Sequence, residues 1–416
     1  MKILVIGGGG REHAIVWKLA QSPRVSKIYC APGNAGMTDL AELLPISVLD
    51  FPTIIEFCRA NSIDRVLVAP DDPLALGLVD ELEAAGIAAY GPGRAAARIE
   101  ASKAYSKYLM QRYNIPTAKY KVYNELEPAL KALDSCSYPA VIKADGLALG
   151  KGVLITQNKA EAEKAVRLML AEQAFGKAGG TILIEECLTG PELTVLAFSD
   201  GTTVKPMVTS RDHKRALDGD LGLNTGGMGA VSPGADLTEA EMQLMQKTIF
   251  QPTIDAMRAE GTPFCGVIYF GLMLTEQGPK VIEYNARFGD PEAQVVLPRL
   301  KTDLIDIMEA IRNGSLAKQN IEYSSDCACC VVMASGGYPG TYQTGYPISG
   351  LEQKDVIIFH AGTKRNEQGE IVTCGGRVLG VTALAATLPE AIDRAYKGVA
   401  GIKFKDAHYR KDIGRT

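Results

Sequence analysis

Short apolar runs alternate with amphipathic stretches through the first hundred residues. Residues 3–6 form an apolar run of strand length, and 27–30 and 65–69 are similar runs that each begin with one basic residue. Apolar positions recur at helical spacing over 12–21. Glycine or proline follows closely after each apolar run. This alternation of strand, loop and helix predicts a parallel, doubly wound sheet, whose ligand binds beyond the carboxyl ends of the strands.

The pattern changes near residue 101 and again near residue 323. Between these positions the predicted strands are joined by glycine-rich turns, and after them three short strands precede a helix over 389–401. A chain of 416 residues is long enough for about three domains. We therefore predict an N-terminal doubly wound α/β domain over 1–101, a central domain over 102–322 and a small C-terminal α+β domain over 323–416.

Charge and cysteine usage restrict the partners that we expect. The chain has 44 basic and 48 acidic residues, and this balance argues against a nucleic-acid or membrane-surface partner. A strand pattern that starts at the first residues leaves no room for a signal peptide, so we expect a cytoplasmic protein. We also expect it to be a monomer. Cys327, Cys329 and Cys330 lie in an apolar stretch without a nearby histidine, and we interpret them as strand cysteines rather than metal ligands.

Four consecutive glycines, residues 7–10, follow the first predicted strand. Backbone amides at the start of a helix favour phosphate, and Arg11 beside them suits a sugar phosphate. A dinucleotide-binding fold is the alternative. Against it, Glu12 or His13 occupies the position where that fold needs its third glycine, and no isolated acidic residue follows the second strand.

Lys143 and Lys151 flank a second glycine-rich turn, residues 144–153. The turn is not a P-loop, because Asp145 and Gly152 stand where that motif needs glycine and a hydroxyl residue. A hairpin that closes over phosphates fits the residues, since glycine allows close approach and lysine neutralises charge. An ordinary surface hairpin is the alternative.

The strand predicted over 181–184 runs into two glutamates, Glu185 and Glu186, and Glu192 lies just beyond them. The backbone of such a connecting segment can pair with adenine, and a carboxylate a few residues later can accept the ribose hydroxyls. Glutamates at the end of a strand are more often simply solvated, so this signal is weak by itself.

Glu283, Asn285 and Arg287 alternate along and just beyond a strand predicted over 278–284. Alternation places the carboxylate and the amide on one face, where their oxygens suit Mg²⁺. Arg287 can brace a transferring phosphoryl group or a substrate carboxylate. A salt-bridged strand edge is the alternative.

Two sets of motifs carry a resemblance to known proteins. Lys143 with the turn after it, the Glu185–Glu186 pair and the Glu283-x-Asn285 pattern resemble the ATP-grasp superfamily. More specifically, several segments resemble the phosphoribosylamine–glycine ligase family. These segments are residues 8–13, 31–36, 212–215, 224–230, 285–292, 360–363 and 409–414. One departure is Asp71, where the family usually has glutamate, so we do not carry a substrate contact over to it.

The resemblance implies a fold and a reaction. It implies an ATP-grasp core with a mobile lid subdomain over about 117–188, between the two other domains. It also implies that the enzyme makes glycinamide ribonucleotide for purine biosynthesis from ATP, glycine and 5-phosphoribosylamine, through glycyl phosphate, with Mg²⁺ or Mn²⁺ as the cation.

The resemblance also implies roles for individual residues. The expected catalytic residues are Arg287, Lys143 and Asp212. The expected ATP-binding residues are Lys103, Lys143, Lys151, Glu185, Glu186, Cys187, Leu188 and Glu192. The expected phosphoribosylamine-binding residues are Gly8, Gly9, Gly10, Arg11, Glu12, Asn34, Asn224, Thr225, Gly226, Gly227, Met228 and Gly229. The expected glycine-binding residues are Asp212 and Arg287, with Asp290 as a substitute for Asp212. The expected metal ligands are Glu283 and Asn285.

Two other functions remain open at this stage. One is a different ATP-grasp enzyme, such as a carboxylase or another carboxylate–amine ligase. The other is a nucleotide-binding module without catalysis. The presence of lysines, metal ligands and an arginine together favours an enzyme, because binding alone does not need the whole set.

Overall fold

The computed structural model describes residues 1–147, 152–172, 174 and 176–415. The N-terminal part forms a five-stranded sheet in the order β3-β2-β1-β4-β5, and all of its strand pairs are parallel. Ile3 and Val5 pack into one hydrophobic core, whereas Leu4 and Ile6 pack into another, so both faces of the sheet are covered. The predicted doubly wound parallel sheet is confirmed. Its elements are β1 Lys2–Gly7, α1 Gly10–Leu19, β2 Lys27–Pro32, β3 Glu42–Leu43, α2 Phe51–Asn61, β4 Arg65–Val68, α3 Asp71–Leu76, α4 Leu78–Ala84, β5 Ala89–Tyr90 and α5 Arg94–Ala101.

The next segment forms an antiparallel sheet in the order β6-β9-β7-β8. Ala129, Ile142, Ala162 and Ile182 belong to a core of its own. We call this segment the lid sheet. Its elements, with the helix that precedes it, are α6 Lys103–Arg112, β6 Tyr120–Tyr123, α7 Leu126–Ala132, β7 Ala140–Ala144, β8 Val153–Thr156, α8 Lys159–Val166 and β9 Ile182–Glu186.

The central antiparallel sheet has the order β11-β10-β16-β17. Leu4 and Val68 of the N-terminal sheet share one core with Phe250 and Phe270 of this segment, so hydrophobic packing is continuous across residue 101. The elements from here to α12 are β10 Glu192–Asp200, β11 Val204–Pro206, β12 Arg211–Asp212, β13 Arg215–Leu217, β14 Leu221–Asn224, β15 Gly229–Ser232, α9 Glu239–Met245, α10 Gln251–Ala259, β16 Cys265–Thr275, β17 Gly278–Asn285, α11 Ala293–Val296 and α12 Leu304–Arg312.

The last sheet has the order β12-β15-β18-β22-β19 and joins strands from both sides of residue 323. The predicted domain boundary at residue 323 therefore divides the chain, but one sheet contains strands from both sides of it. Cys329 and Cys330 of β18 are fully buried, as interpreted from the sequence. The C-terminal elements are β18 Cys327–Ala334, β19 Ile357–His360, β20 Thr363–Arg365, β21 Ile371–Thr373, β22 Arg377–Ala385 and α13 Leu388–Gly401.

None of the helices in the described part of the chain has the length and apolar character needed to cross a membrane.

Candidate active site

A cleft of about 1110 Å³ receives side chains from the lid sheet, the central sheet and the last sheet, and from helices that follow strands of the N-terminal sheet. Arg11 enters it from the start of α1, Lys143 from β7, Glu283 from β17 and Arg377 from β22. Asp71, the first residue of the helix α3 that follows β4, also lines it. The cleft thus lies at the carboxyl ends of the parallel strands, where the strand pattern predicts a ligand.

Two buried lysines share one carboxylate on the lid-sheet side of the cleft. The Glu185 Oε2 atom lies 3.0 Å from Lys143 Nζ and 2.9 Å from Lys107 Nζ. Burial lowers the pKa of Lys107 to about 8, while Glu185 acts in the opposite direction. Two cations against one anion leave a net positive charge, which favours the phosphates of a nucleotide. No sequence motif singles out Lys107, although its position one helical turn after Lys103 on α6 is a usable signal.

The turn after β7 is fastened to the start of α6. Lys103 Nζ donates to the Gly146 carbonyl at 2.8 Å, and Asp145 accepts from Ser102 Oγ at 3.2 Å and from the Ala104 amide at 3.0 Å. Burial lowers the pKa of Lys103, although nearby Glu283 raises it. Lys103 therefore lies where the turn begins, while Lys151, expected to bind ATP, lies outside the described residues.

The segment expected to read adenine follows β9 directly. Glu186, Cys187 and Leu188 all line the cleft. The Glu186 side chain accepts from the Lys119 amide at 3.0 Å, and the Glu186 amide donates to the Lys119 carbonyl at 3.0 Å. Because the Glu186 amide already pairs with Lys119, we expect an adenine base to pair with the backbone that follows Glu186.

Glu283 and Asn285 lie on one face of β17, as predicted, with buried Tyr284 between them. Turned so that its nitrogen donates to Glu100 Oε1 at 3.0 Å and to the Tyr284 carbonyl at 3.3 Å, the Asn285 amide is satisfied. Burial alone would raise the pKa of Glu283, but Lys214, Lys143 and Lys103 together lower it. An ionised carboxylate beside an amide oxygen is a donor set that suits Mg²⁺.

In the described residues no group of three or more His, Cys, Asp or Glu side chains is placed to hold a metal ion. A cation at Glu283 and Asn285 would therefore need further oxygen ligands, and nucleotide phosphates supply such oxygens.

Arg287 is held by a carboxylate from the N-terminal part of the chain. Its guanidinium lies 2.7 Å from Glu100 Oε1, while Glu100 Oε2 accepts from the Ala286 amide at 2.7 Å. Burial alone would lower the pKa of Arg287, but the carboxylates of Glu100 and Asp71 raise it by more. The pKa therefore lies above its usual value, and the guanidinium stays charged. Its Nε atom has no hydrogen-bond partner among the described residues. One buried donor is thus left for an anionic ligand.

Asp212, on β12, lies in a cluster of charged side chains. Burial raises the pKa of Asp212 to about 8, with Lys214 opposing the rise and Glu292 adding to it. Lys214 Nζ lies 3.1 Å from Glu192 and 3.4 Å from Glu283, so it joins the expected ribose ligand to an expected metal ligand. The sequence by itself indicates no role for Lys214 or Glu292, because each acquires its partners only through folding.

The glycine run holds protein carboxylates where a phosphate was expected. The Gly9 amide donates to Glu12 at 2.6 Å, and the Arg11 amide donates to Asp290 at 3.4 Å. Glycine is needed at position 8, because an added Cβ would lie 2.4 Å from the Gly33 carbonyl oxygen. Two of the amides expected to bind phosphate therefore already have partners, and the buried Glu12 braces the loop.

Two residues expected to bind phosphoribosylamine have buried side chains. The Asn34 amide donates to the carbonyls of Gly8 at 2.9 Å and His360 at 2.7 Å, and its oxygen accepts from the Gly36 amide at 3.0 Å. Met228 is fully buried in the C-terminal core. Both side chains are thus occupied inside the protein, which leaves Asn34 to brace the glycine run.

Arg377 connects the loop over 224–229, expected to bind phosphoribosylamine, to Asp290. Its Nη1 atom donates to the Gly226 carbonyl at 2.6 Å and to the Asp290 carbonyl at 2.7 Å. Its Nη2 atom lies 3.4 Å from the Asp290 carboxylate, which also accepts from Gln294 at 2.7 Å. Burial opposes ionisation of Asp290, but Arg377 and Arg11 hold its pKa low. Asp290 is therefore less available than Asp212 for a substrate ammonium.

Three family models together match most of the chain. They are the N domain of phosphoribosylglycinamide synthetase over residues 1–100, its ATP-grasp (A) domain over 101–293 and its C domain over 328–416.

Known proteins match along the full chain. A phosphoribosylamine--glycine ligase of Caldanaerobacter subterraneus subsp. tengcongensis is 47% identical over 99% of both chains. The trifunctional purine biosynthetic protein adenosine-3 of Gallus gallus is 48% identical over 99% of this chain, which spans 42% of that longer protein. The crystal structure of a phosphoribosylamine--glycine ligase from Thermotoga maritima superposes with a TM-score of 0.88 at 32% identity, covering 99% of this chain and 100% of the other. With identities of this size along the whole length, the chain belongs to the phosphoribosylglycinamide synthetase family, also called the phosphoribosylamine–glycine ligases.

Proposed function

We propose that the chain joins glycine to 5-phosphoribosylamine, with ATP as the source of activation. The proposal rests on the charged and polar groups that line one cleft. They are the cations of Lys103, Lys107 and Lys143, the oxygens of Glu283 and Asn285, and the guanidinium groups of Arg11 and Arg287. Such a cleft can neutralise a triphosphate and two further anionic groups at the same time.

The reaction has two steps. A carboxylate oxygen of glycine attacks the γ-phosphorus of ATP, and ADP leaves with the electrons of the broken P–O bond. The amino group of phosphoribosylamine then attacks the carbonyl carbon of glycyl phosphate, loses a proton and expels inorganic phosphate. No nucleophilic side chain is needed, so the protein contributes positioning and charge neutralisation.

The lid sheet and β17 together form the proposed nucleotide site. Lys143 and Lys103 bind phosphate oxygens. Because Glu185 pairs with Lys107 as well as with Lys143, its one negative charge does not cancel the charge of both lysines. Glu192 binds the ribose, and the backbone after Glu186 reads adenine. A bound Mg²⁺, or Mn²⁺ with the same oxygen donors, would be held by Glu283 and Asn285 and would offset the charge of the phosphates.

Glycine needs one cation and one anion a few ångströms apart, because it is a zwitterion. Arg287 binds its carboxylate with the free Nε donor, and Asp212 binds its ammonium. An incoming ammonium favours the ionised carboxylate, and so it offsets the raised pKa of Asp212. Arg11 and the amides of the loop over 224–229 bind phosphoribosylamine, with Asn34 and Glu12 as bracing residues.

The proposal is tested by product formation. Phosphate release by the purified chain should require ATP, Mg²⁺, glycine and phosphoribosylamine together, and mass spectrometry should detect glycinamide ribonucleotide. D-Alanine or bicarbonate should not replace glycine. Phosphate release with bicarbonate alone would instead assign a carboxylase-type reaction to the cleft.

A further inference from the structure

The C-terminal tail, residues 408–414, is built around a buried arginine. The Arg410 side chain is fully buried, and it donates to both Asp412 oxygens at 2.8 Å and to Asp220 Oδ1 at 2.7 Å. Burying a guanidinium is costly unless it is paired, so this arrangement specifies one position for each partner.

The tail fastens the hairpin formed by β13 and β14, which we call the leucine hairpin. The Lys411 amide donates to Asp218 at 2.7 Å, and the Gly219 amide donates to Asp412 at 2.7 Å. A further contact joins His408 Nε2 to the Ala216 carbonyl at 2.8 Å.

Apolar packing contributes little to the position of this hairpin. Leu217, Leu221 and Leu223 are 48%, 64% and 67% exposed. Since these leucines are not buried in a core, the polar contacts with the tail determine where the hairpin lies.

Both ends of the leucine hairpin continue into the cleft. Asp212 and Lys214 precede it, and the substrate loop over 224–229 follows it. The tail contacts both sides: the Gly414 amide donates to His213 Nε2 at 3.2 Å, and an added Cβ at Gly229 would lie 2.8 Å from Ile413. Burial lowers the pKa of His213 to about 4, so its neutral ring can accept this hydrogen bond.

We propose that Arg410 is a positioning residue. Through Asp220 and Asp412 it holds the leucine hairpin at the edge of the cleft. The segments on either side of the hairpin are paired with each other, since the Thr225 amide donates to the Lys214 carbonyl at 2.8 Å and the Met228 amide to the His213 carbonyl at 2.8 Å. By holding the hairpin, Arg410 thus sets where Asp212 and the loop over 224–229 lie together in the cleft. This inference rests on the proposed function only for the identity of the two substrates that these segments serve.

Two variants test the role of Arg410, and a third serves as a matched control. Arg410→Lys removes the paired geometry and keeps the charge. Asp220→Asn removes one charge at a side chain that is 60% exposed, and asparagine accepts the left-handed backbone found there (φ +54°). Asp393→Asn is the control, because Asp393 pairs with Arg415 at 2.9 Å on the surface of the same region.

The expected effect lies in substrate affinity. Arg410→Lys should raise the KM for glycine and phosphoribosylamine about tenfold, and Asp220→Asn should raise both about threefold. The KM for ATP should rise less than these two values, since Lys103 and Lys143 lie on other elements and only the contacts of Lys214 with Glu192 and Glu283 connect this region to the proposed nucleotide site. The control should behave like wild type. Unchanged substrate KM values in Asp220→Asn with an unchanged unfolding temperature would overturn the proposal.

Hydrogen exchange provides a readout that does not depend on activity. In Arg410→Lys, amides in peptides over 212–214 and 224–229 should exchange faster, while those of the lid sheet should not. Faster exchange confined to 215–221 would contradict the proposal, even if the enzyme proved to use other substrates. If Arg410→Lys unfolds as a whole, the same comparison in Asp220→Asn decides the question.

Discussion

The Arg287 guanidinium lies 2.7 Å from the Glu100 carboxylate, and that carboxylate also orients the Asn285 amide at 3.0 Å. One buried side chain at the end of α5 therefore positions both a proposed metal ligand and the proposed substrate arginine. This contact fixes the geometry between the two groups, although neither is near Glu100 in the sequence.

Glu100→Gln should lower kcat by about one to two orders of magnitude, because the uncharged amide leaves Arg287 without its buried partner. The KM for ATP should change little. Glu309→Gln is the control, since Glu309 pairs with Arg65 at the same distance of 2.7 Å, away from the cleft. Equal kcat values for both variants in steady-state assays would show that Glu100 does not contribute to the active site.

Glu283→Gln and Asn285→Ala should each reduce turnover by at least about a hundredfold, because each removes one of two protein ligands for the cation. Excess Mg²⁺ should partly restore Asn285→Ala. Phosphate release measured against Mg²⁺ concentration checks this, with thermal unfolding as the test of folding. Glu276→Gln, at the exposed turn between β16 and β17, is the control. Wild-type turnover in either ligand variant would refute the metal site.

Lys143→Ala should raise the KM for ATP or lower kcat strongly, because it removes a buried cation beside the phosphates. Cys187→Ala should be nearly silent, since the adenine would be read by the backbone there. Nucleotide titration of both variants distinguishes the two positions. A large loss in Cys187→Ala would mean that its side chain contacts the base.

The affinity for glycine should increase with pH. Burial raises the pKa of Asp212 to about 8, so we expect this carboxyl to lose its proton as the pH rises through the neutral range. The glycine ammonium needs the ionised form, and therefore kcat/KM for glycine should rise between about pH 7 and 8.5. Asp212→Asn should lower this value and flatten the rise. A rise of the same size in Asp212→Asn would show that another group titrates.

Acid should weaken the contact between the N-terminal and C-terminal parts. The His360 amide donates to His13 Nδ1 at 2.8 Å, and burial lowers the pKa of His13 to about 3 and that of His360 to about 4. In the unfolded chain these histidines take up protons below about pH 6.5, whereas in the folded chain they stay neutral until the pH is much lower. The free energy of unfolding therefore has its full value above about pH 6.5. Below that pH it should decrease by roughly 1 kcal/mol per pH unit for each histidine.

His13→Asn keeps an acceptor at the Nδ1 position and cannot take up a proton in this range. Urea unfolding at about pH 7.5 and pH 5 should therefore show a smaller loss of stability in this variant than in wild type. Equal losses in the two proteins would show that His13 does not cause the acid sensitivity.

Local patterns in the sequence were sufficient for several features of the protein. Alternation along β17 placed Glu283 and Asn285 on one face, and short apolar runs predicted the parallel N-terminal sheet, because both depend on repeats within a few residues. Motif spacing likewise indicated the family. These are properties of neighbouring residues, so they can be read without knowing the fold.

Only the tertiary structure decided which side chains meet. Glu100 reaches Arg287, Lys107 reaches Glu185, and Arg410 reaches Asp220 across long stretches of chain. The same holds for Asn34, whose polar groups are taken by backbone partners that include His360. Strand pairing across residue 323 is a further case. Such contacts depend on how sheets pack and on which charges are removed from water together, and no local repeat in the sequence encodes that information.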